Sequence, residues 1–210
     1  MWSAETVFVC ALALLGRTEA SFPTVEFVEK TPLGVSKLAQ AYTKHADARI
    51  VIVTSTSFGE LPGLVSGLRS LGNQTPILNS WAGDGTYWAT KSPMVTNYYA
   101  VTFASIAGDD PNPAVNALAK QVKAGTGGFV TGAAAIDGIV TAIRRAGGST
   151  SGVALAAQMV KFTRVPTISG LVSFSKQYHS VFGRQYRVIE IQDNVAKVVG
   201  KVTASSPAKI

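Results

Sequence analysis

The stretch Ile50–Trp88, IVIVTSTSFGELPGLVSGLRSLGNQTPILNSWAGDGTYW, constrains the fold more than any other part of the chain. It holds two short apolar runs, Ile50–Val53 and Pro76–Leu78, separated by a segment with helical spacing, Leu61–Leu71. Short runs rich in β-branched residues and divided by a helix predict a βαβ unit with parallel strands. Ser57-Phe58-Gly59-Glu60 has the form of a capping box at the helix start, and Gly72 stands where a left-handed residue would stop the helix. In an open α/β sheet, ligands bind in the crevice beyond the carboxyl ends of the strands. The loops leaving the two strands, Thr54–Phe58 and Asn79–Gly85, therefore hold the first candidate site residues.

Composition narrows the function classes. With 47% apolar and 15% charged residues, the 210-residue chain can bury a core, and disorder is expected only at its ends. The formal charge of +7 and pI near 9.6 invite a nucleic-acid reading. Phosphate binding needs clustered cations, however. Here Lys and Arg occur singly except for Arg144-Arg145, which complements the dipole at a helix end. No nucleic-acid partner is expected. Cys10 is the only cysteine, and His45 and His179 lie far apart, so neither a disulfide nor a thiolate or histidine metal site is expected. No cofactor motif occurs. Gly125-Thr126-Gly127-Gly128 follows a helix rather than a strand and reads as a linker, and no Gly-x-Ser-x-Gly elbow is present.

No apolar run approaches the roughly 20 residues that cross a bilayer. Val7–Leu15 has the length of a signal-peptide apolar region, but Glu5 and the lack of a preceding Lys or Arg favour a buried element of the fold. Thr24–Val28 reads as a strand and Val35–Lys44 as an amphipathic helix. Thr96–Ser105 reads as a longer strand. Asp110 is expected to cap a helix that has Pro111 in its first turn and runs to about Lys123. Further helices are expected at Gly132–Ala146, stopped by Gly147-Gly148, and at Gly152–Phe162, capped from Ser149–Ser151. Leu171–Phe174, Tyr186–Ile191 and Lys197–Val202 read as strands, the last two joined at a turn by Asp193-Asn194, and the tail Ala204–Ile210 as frayed.

Among the acids, Glu60 belongs to the capping box, Asp110 to its helix and Glu190 to a strand face. Asp84 sits in a Gly-rich loop beside Trp81, Tyr87 and Trp88 and is the acid that reads as functional, the other reading being a turn residue that satisfies the loop backbone. A few placed polar groups within aromatic walls are typical of ligand binding.

The segment ADARIVIVTSTSFGELPGLVSGLRSLGNQTPILNS resembles the second-lobe segment of the type I solute-binding proteins of ABC transporters, in the branched-chain amino acid branch. Asp110-Pro111-Asn112, the helix AAIDGIVTAIRRAGG, the run ISGLVSFS with His179-Ser180, and YRVIEIQDN resemble further parts of that family in the same order. The resemblance covers most of the chain from Phe22 onward. It implies an α/β protein with Rossmann-like parallel-sheet lobes of the periplasmic binding protein type I fold, the first lobe incomplete. Residues 1–105 would be the second-lobe βαβ region, 106–170 the helical part of the first lobe, and 171–210 the return strands and tail. Hinge crossings are expected around Tyr98–Ser105 and near Gly170. The chain would be the C-terminal part of a longer protein or a truncated relative.

By position, Ser57 and Phe58 stand where the family has an aromatic lining the cleft, and Trp81 stands where it has an acid for the ligand ammonium. Tryptophan lacks that charge, which Asp84 nearby can supply, while Trp81 and Phe58 can stack on a ring. Ser55 and Asn79 complete the expected ligand-binding set. The resemblance implies a non-enzymatic, periplasmic protein that binds an amino acid or aromatic metabolite by lobe closure and delivers it to an ABC transporter permease. Two other classes stay open: a ligand-sensing receptor module of the same fold, and a doubly wound enzyme, which would need a base and nucleophile paired in one cleft.

Overall fold

In chain order the elements are β1 (Ile52–Thr54), α1 (Leu61–Ser70), β2 (Ile77–Asn79), β3 (Tyr98–Thr102), α2 (Pro113–Val122) and α3 (Val130–Arg145). They continue with α4 (Gly152–Met159), β4 (Val165–Thr167), β5 (Gly170–Val172), β6 (Gln185–Gln192) and β7 (Val195–Thr203). This computed structural model describes residues 52–54, 61–81, 83–177 and 184–203. The expectations for Val7–Leu15, Cys10, Thr24–Val28, Val35–Lys44, His45, the capping box at Ser57, His179 and the tail from Ala204 lie outside the described residues.

A five-stranded sheet has the order β1-β2-β3-β6-β7. β1 and β2 are parallel, with Ile52 opposite Ile77, and β2 and β3 are parallel, with Leu78 opposite Tyr99. The βαβ reading of the sequence thus describes the chain, each strand ending one residue beyond its apolar run. The chain divides into two compact units, Met1–Val101 with Val188–Gly200, and Thr102–Arg187 with Lys201–Ile210. The chain passes from one to the other after Val101, Arg187 and Gly200. Gly170, expected near a crossing, lies within the second unit.

In the first unit, Leu61, Val65 and Leu68 recur along one face of α1 and pack with Ile77, Tyr98, Ala100, Ile189 and Ile191, all buried. Every residue of β2 is buried, as expected of a parallel strand covered on both faces. α1 ends where the sequence places its stop: Gly72 has φ +75°, its N–H donates to the Arg69 carbonyl, and the Asn73 N–H donates to that of Leu68. These are the paired bonds of a Schellman cap, which glycine enters without a Cβ penalty. Asp193 and Asn194, both left-handed at φ 53° and 63°, make the two-residue turn between β6 and β7, the geometry whose twist matches a hairpin. The Asn194 side chain accepts from the Val95 N–H and donates to the Thr90 carbonyl, which fixes this turn against the segment leading into β3.

The second unit is mainly helical. α3 buries a narrow stripe, Val130, Ala134, Gly138 and Ala142, one residue per turn. Ala142 joins Phe162, Val165 and Val172 in one cluster, and Val130 joins Val115 and Ala104 in another. Gly125–Gly128 does join two helices, through a 3-10 turn at Gly127–Phe129 capped by Thr126. β4 pairs antiparallel with β5 as a separate two-stranded ribbon. Pro166 stands within β4, where a proline without an N–H is tolerated on such an edge.

One local expectation is corrected. The cap of α2 is Asn112, whose side chain accepts from the Ala114 N–H, and the first-turn proline is Pro113. Asp110 is occupied elsewhere: Arg187 reaches it with Nε at 3.1 Å from Oδ2 and Nη2 at 3.2 Å from Oδ1. The same carboxylate accepts from the backbone N–H groups of Ser105 and Asn112, so each oxygen takes two bonds. Both side chains of the pair are buried. Removing one member of a buried ion pair leaves an uncompensated charge, at about 3–5 kcal/mol. Asp110→Asn should therefore lower stability to urea by about that amount, and adding Arg187→Met to it should restore part of the loss. Equal stability of Asp110→Asn and the parent would show that the fork carries no weight.

Candidate functional site

Asn79 ends β2 and opens the loop that runs to Trp88, at the carboxyl edge of the parallel strands. The Asn79 side chain is 1% exposed. Its Nδ2 donates to the Tyr98 hydroxyl at 2.7 Å, and its Oδ1 accepts from the Ser80 N–H at 2.8 Å. Tyr98, fully buried on β3, is the floor of the loop. Above it the Gly83 backbone approaches so closely that a Cβ there would strike the Tyr98 hydroxyl and the Asn79 amide. Glycine is needed at this position for space. The Trp88 indole N–H donates to the Gly83 carbonyl at 3.3 Å, and its ring lies 5.0 Å from that of Tyr98, tilted by 58°.

Asp84 is 2% exposed and close enough to two phenols to affect both. Burial, reinforced by the Asp84 charge, pushes the Tyr87 phenol up. Burial pushes Tyr98 further in the same direction, the bond from Asn79 opposing it and the Asp84 charge adding to it. Trp81 and Tyr87 differ in kind, since 45% and 47% of their surfaces face outward. The loop thus has two buried aromatics beneath, two exposed aromatics outside and one buried acid between. The exposed rings can stack on a planar group, and the Asp84 charge lies close to one of them. Among the described residues, no three His, Cys, Asp or Glu gather to hold a metal ion.

Of the residues singled out from the sequence, Asn79, Trp81 and Asp84 fall in this one loop. Ser55, Ser57 and Phe58 lie outside the described residues. The residues missed are Tyr98, Gly83 and Trp88 as its supports. Tyr98 read only as a strand former, and only the order of the strands places its hydroxyl beneath Asn79.

Tyr98→Phe should cost about 1–3 kcal/mol near neutral pH, because a buried amide donor of Asn79 loses its partner. The folded phenol titrates above the unfolded one, so the parent keeps its stability below about pH 10 and loses it as pH rises further. Tyr98→Phe lacks that slope, so denaturation curves of the two proteins should converge between about pH 9 and about pH 11. A constant gap would show that Tyr98 ionises freely.

No protein-family model and no curated protein matches the chain. Solved structures do. A leucine-binding protein from Thermotoga maritima superposes with a TM-score of 0.66 at 15% identity, over 83% of this chain and 49% of its own. The substrate-binding protein of a branched-chain amino acid transporter from Streptococcus pneumoniae, in complex with isoleucine, gives 0.60 at 16% identity, over 77% of this chain and 47% of its own. A solute-binding protein of an ABC transporter from R. palustris, in complex with benzoate, gives 0.59 at 14% identity, over 88% and 50%. The chain spans about half the length of each of these proteins. It resembles the branched-chain amino acid binding proteins of ABC transporters and has part of their type I periplasmic binding protein fold.

Proposed function

We propose that this chain is the ligand-capturing part of an ABC transporter's solute-binding protein, one that takes up a small metabolite such as an amino acid or an aromatic compound. It acts by binding and not by catalysis. Ligand-driven closure of two lobes is the mechanism that goes with this fold, and the two compact units are then parts of those lobes. Its place of action is the periplasm and its partner a membrane permease. The observation that carries the reading is the loop Asn79–Trp88: a rigid loop at the carboxyl edge of parallel strands, with exposed Trp81 and Tyr87 beside buried Asp84. The matched structures support the same role, since the proteins they represent bind leucine, isoleucine or benzoate. Ser55, Ser57 and Phe58, which follow β1 in the sequence, belong to the same proposal.

Trp81 and Tyr87 favour a ligand with a planar part, because a ring gains about 0.5–1.5 kcal/mol from stacking beyond the area it buries. Asp84 favours one that also has an ammonium or hydroxyl group. Calorimetry of the chain against amino acids and aromatic acids should find a binder in this class. Trp81→Ala should then weaken it about tenfold while leaving the melting temperature nearly unchanged, since the residue is half exposed. Asp84→Asn should weaken a cationic ligand more than a neutral one. If both variants bound the ligand as the parent does, the loop would not be its site.

A further inference from the structure

The second unit holds two buried arginines, and the chain satisfies only one of them. Arg187 grips Asp110 with Nε and Nη2, the edge of a guanidinium that presents two parallel N–H groups. Three residues earlier, Arg184 is 5% exposed, and its Nε and Nη2 have no hydrogen-bond partner among the described residues. It lies over the ring of Phe103, 4.3 Å from the centroid, and 5.7 Å from that of Tyr186. Those rings hold the plane of the guanidinium but accept no hydrogen bond along its edge. Asp110 cannot serve both arginines, because four bonds already fill its oxygens. Burial and the neighbouring Arg187 charge both work against the Arg184 cation, only Tyr186 acting in its favour.

A buried cation with two unpaired donors is a costly arrangement, and such groups in native proteins are nearly always paired. What is missing has a definite chemistry: an anion with two coplanar acceptor oxygens, the same group Asp110 offers to Arg187. Phe103 is only partly buried and packs 5.7 Å from Tyr186, so the cluster of these two rings and the guanidinium reaches the surface at Phe103.

We propose that Arg184 is a carboxylate-binding residue, its Nε–H and Nη2–H forming a fork for the carboxylate of a small organic acid beside the Phe103–Tyr186 pair. The site is built from the second unit alone and does not rest on the capture reading of the loop in the first.

The probes are acetate and benzoate, with acetamide, benzamide, chloride and sulfate as controls at matched ionic strength, each tested on the full chain by thermal unfolding and calorimetry. Carboxylates should raise the melting temperature and the amides and inorganic ions should not. Arg184→Met should abolish the carboxylate effect while melting no lower than the parent, because it removes an unpaired buried charge. Arg184→Lys keeps the charge but not the fork, and should bind benzoate about 10- to 100-fold more weakly. The proposal is overturned if sulfate or benzamide acts like benzoate, if Arg184→Lys binds benzoate as the parent does, or if Arg184→Met unfolds, which would make the residue structural. A chain that responds to carboxylates through Arg184 but captures no metabolite would retain this site and lose only the transport reading. One that captures a metabolite acid and its amide equally well would lose only this site.

Discussion

The parallel half of the sheet depends on how one side chain, Arg69, disposes of backbone carbonyls. Two parallel strands that start at the same edge leave carbonyl groups at their entries that no strand bond takes up. Arg69 sits in the last turn of α1 and turns its guanidinium toward that edge. It donates to Asn73 at 2.7 Å, to Thr75 at 3.1 Å and, through Nη2, to Thr96 at 2.7 Å, so the entries to β2 and β3 share one cation. Burial lowers its pKa, but a guanidinium remains charged and its fork of five donors can serve several acceptors at once. The Schellman cap at Gly72 fixes where Arg69 points. The position of the loop after β2, at the opposite edge, follows from this anchoring.

Other polar groups of the first unit follow the same economy. Asn79 is shared between Tyr98 and the Ser80 backbone, and Asn194 between Val95 and Thr90. Each is a short amide placed where two segments distant in sequence need one donor and one acceptor, which is what an amide carries. In the second unit Asp137 plays a similar part, accepting from the Ile168 N–H, and Asn112 donates to the Ile168 carbonyl, so both backbone groups of this residue in the β4–β5 turn are bonded to side chains. Against this pattern Arg184 stands apart, because no described residue accepts a hydrogen bond from its Nε or Nη2.

Much of the architecture was legible in the sequence because it is encoded locally. The apolar runs either side of Leu61–Leu71, the glycines at 72, 147 and 148, and the pair Asp193-Asn194 each carry their rule within a few residues. What was not legible depends on partners far away. Asp110-Pro111 and Asn112-Pro113 satisfy the same capping rule two residues apart, and Arg187, 77 residues from Asp110, decides between them. β4 was missed because its three residues, with a proline at the centre, form a strand only against β5. For the candidate site, a polar loop after a parallel strand pointed to Asn79, Trp81 and Asp84, but not to which of them are buried. That division depends on Tyr98, which enters from the neighbouring strand.

The division matters to what the loop can do. A binding surface loses affinity to the extent that its side chains must be ordered when the ligand arrives. Here the ordering is done in advance by Trp88 and Tyr98, whose rings pack together, and by Gly83, whose carbonyl accepts from the Trp88 indole N–H. Gly83 in turn bonds back to the Trp81 carbonyl at 2.6 Å, so the backbone on which the Trp81 ring stands is itself fixed. Aromatic side chains have only two rotatable bonds, so a ring presented from a fixed backbone offers a large area at low entropic cost. The four aromatics of this region therefore split by depth. Those below hold the loop still, and Trp81 and Tyr87 above gain from it, as a loop that recognises a flat ligand requires.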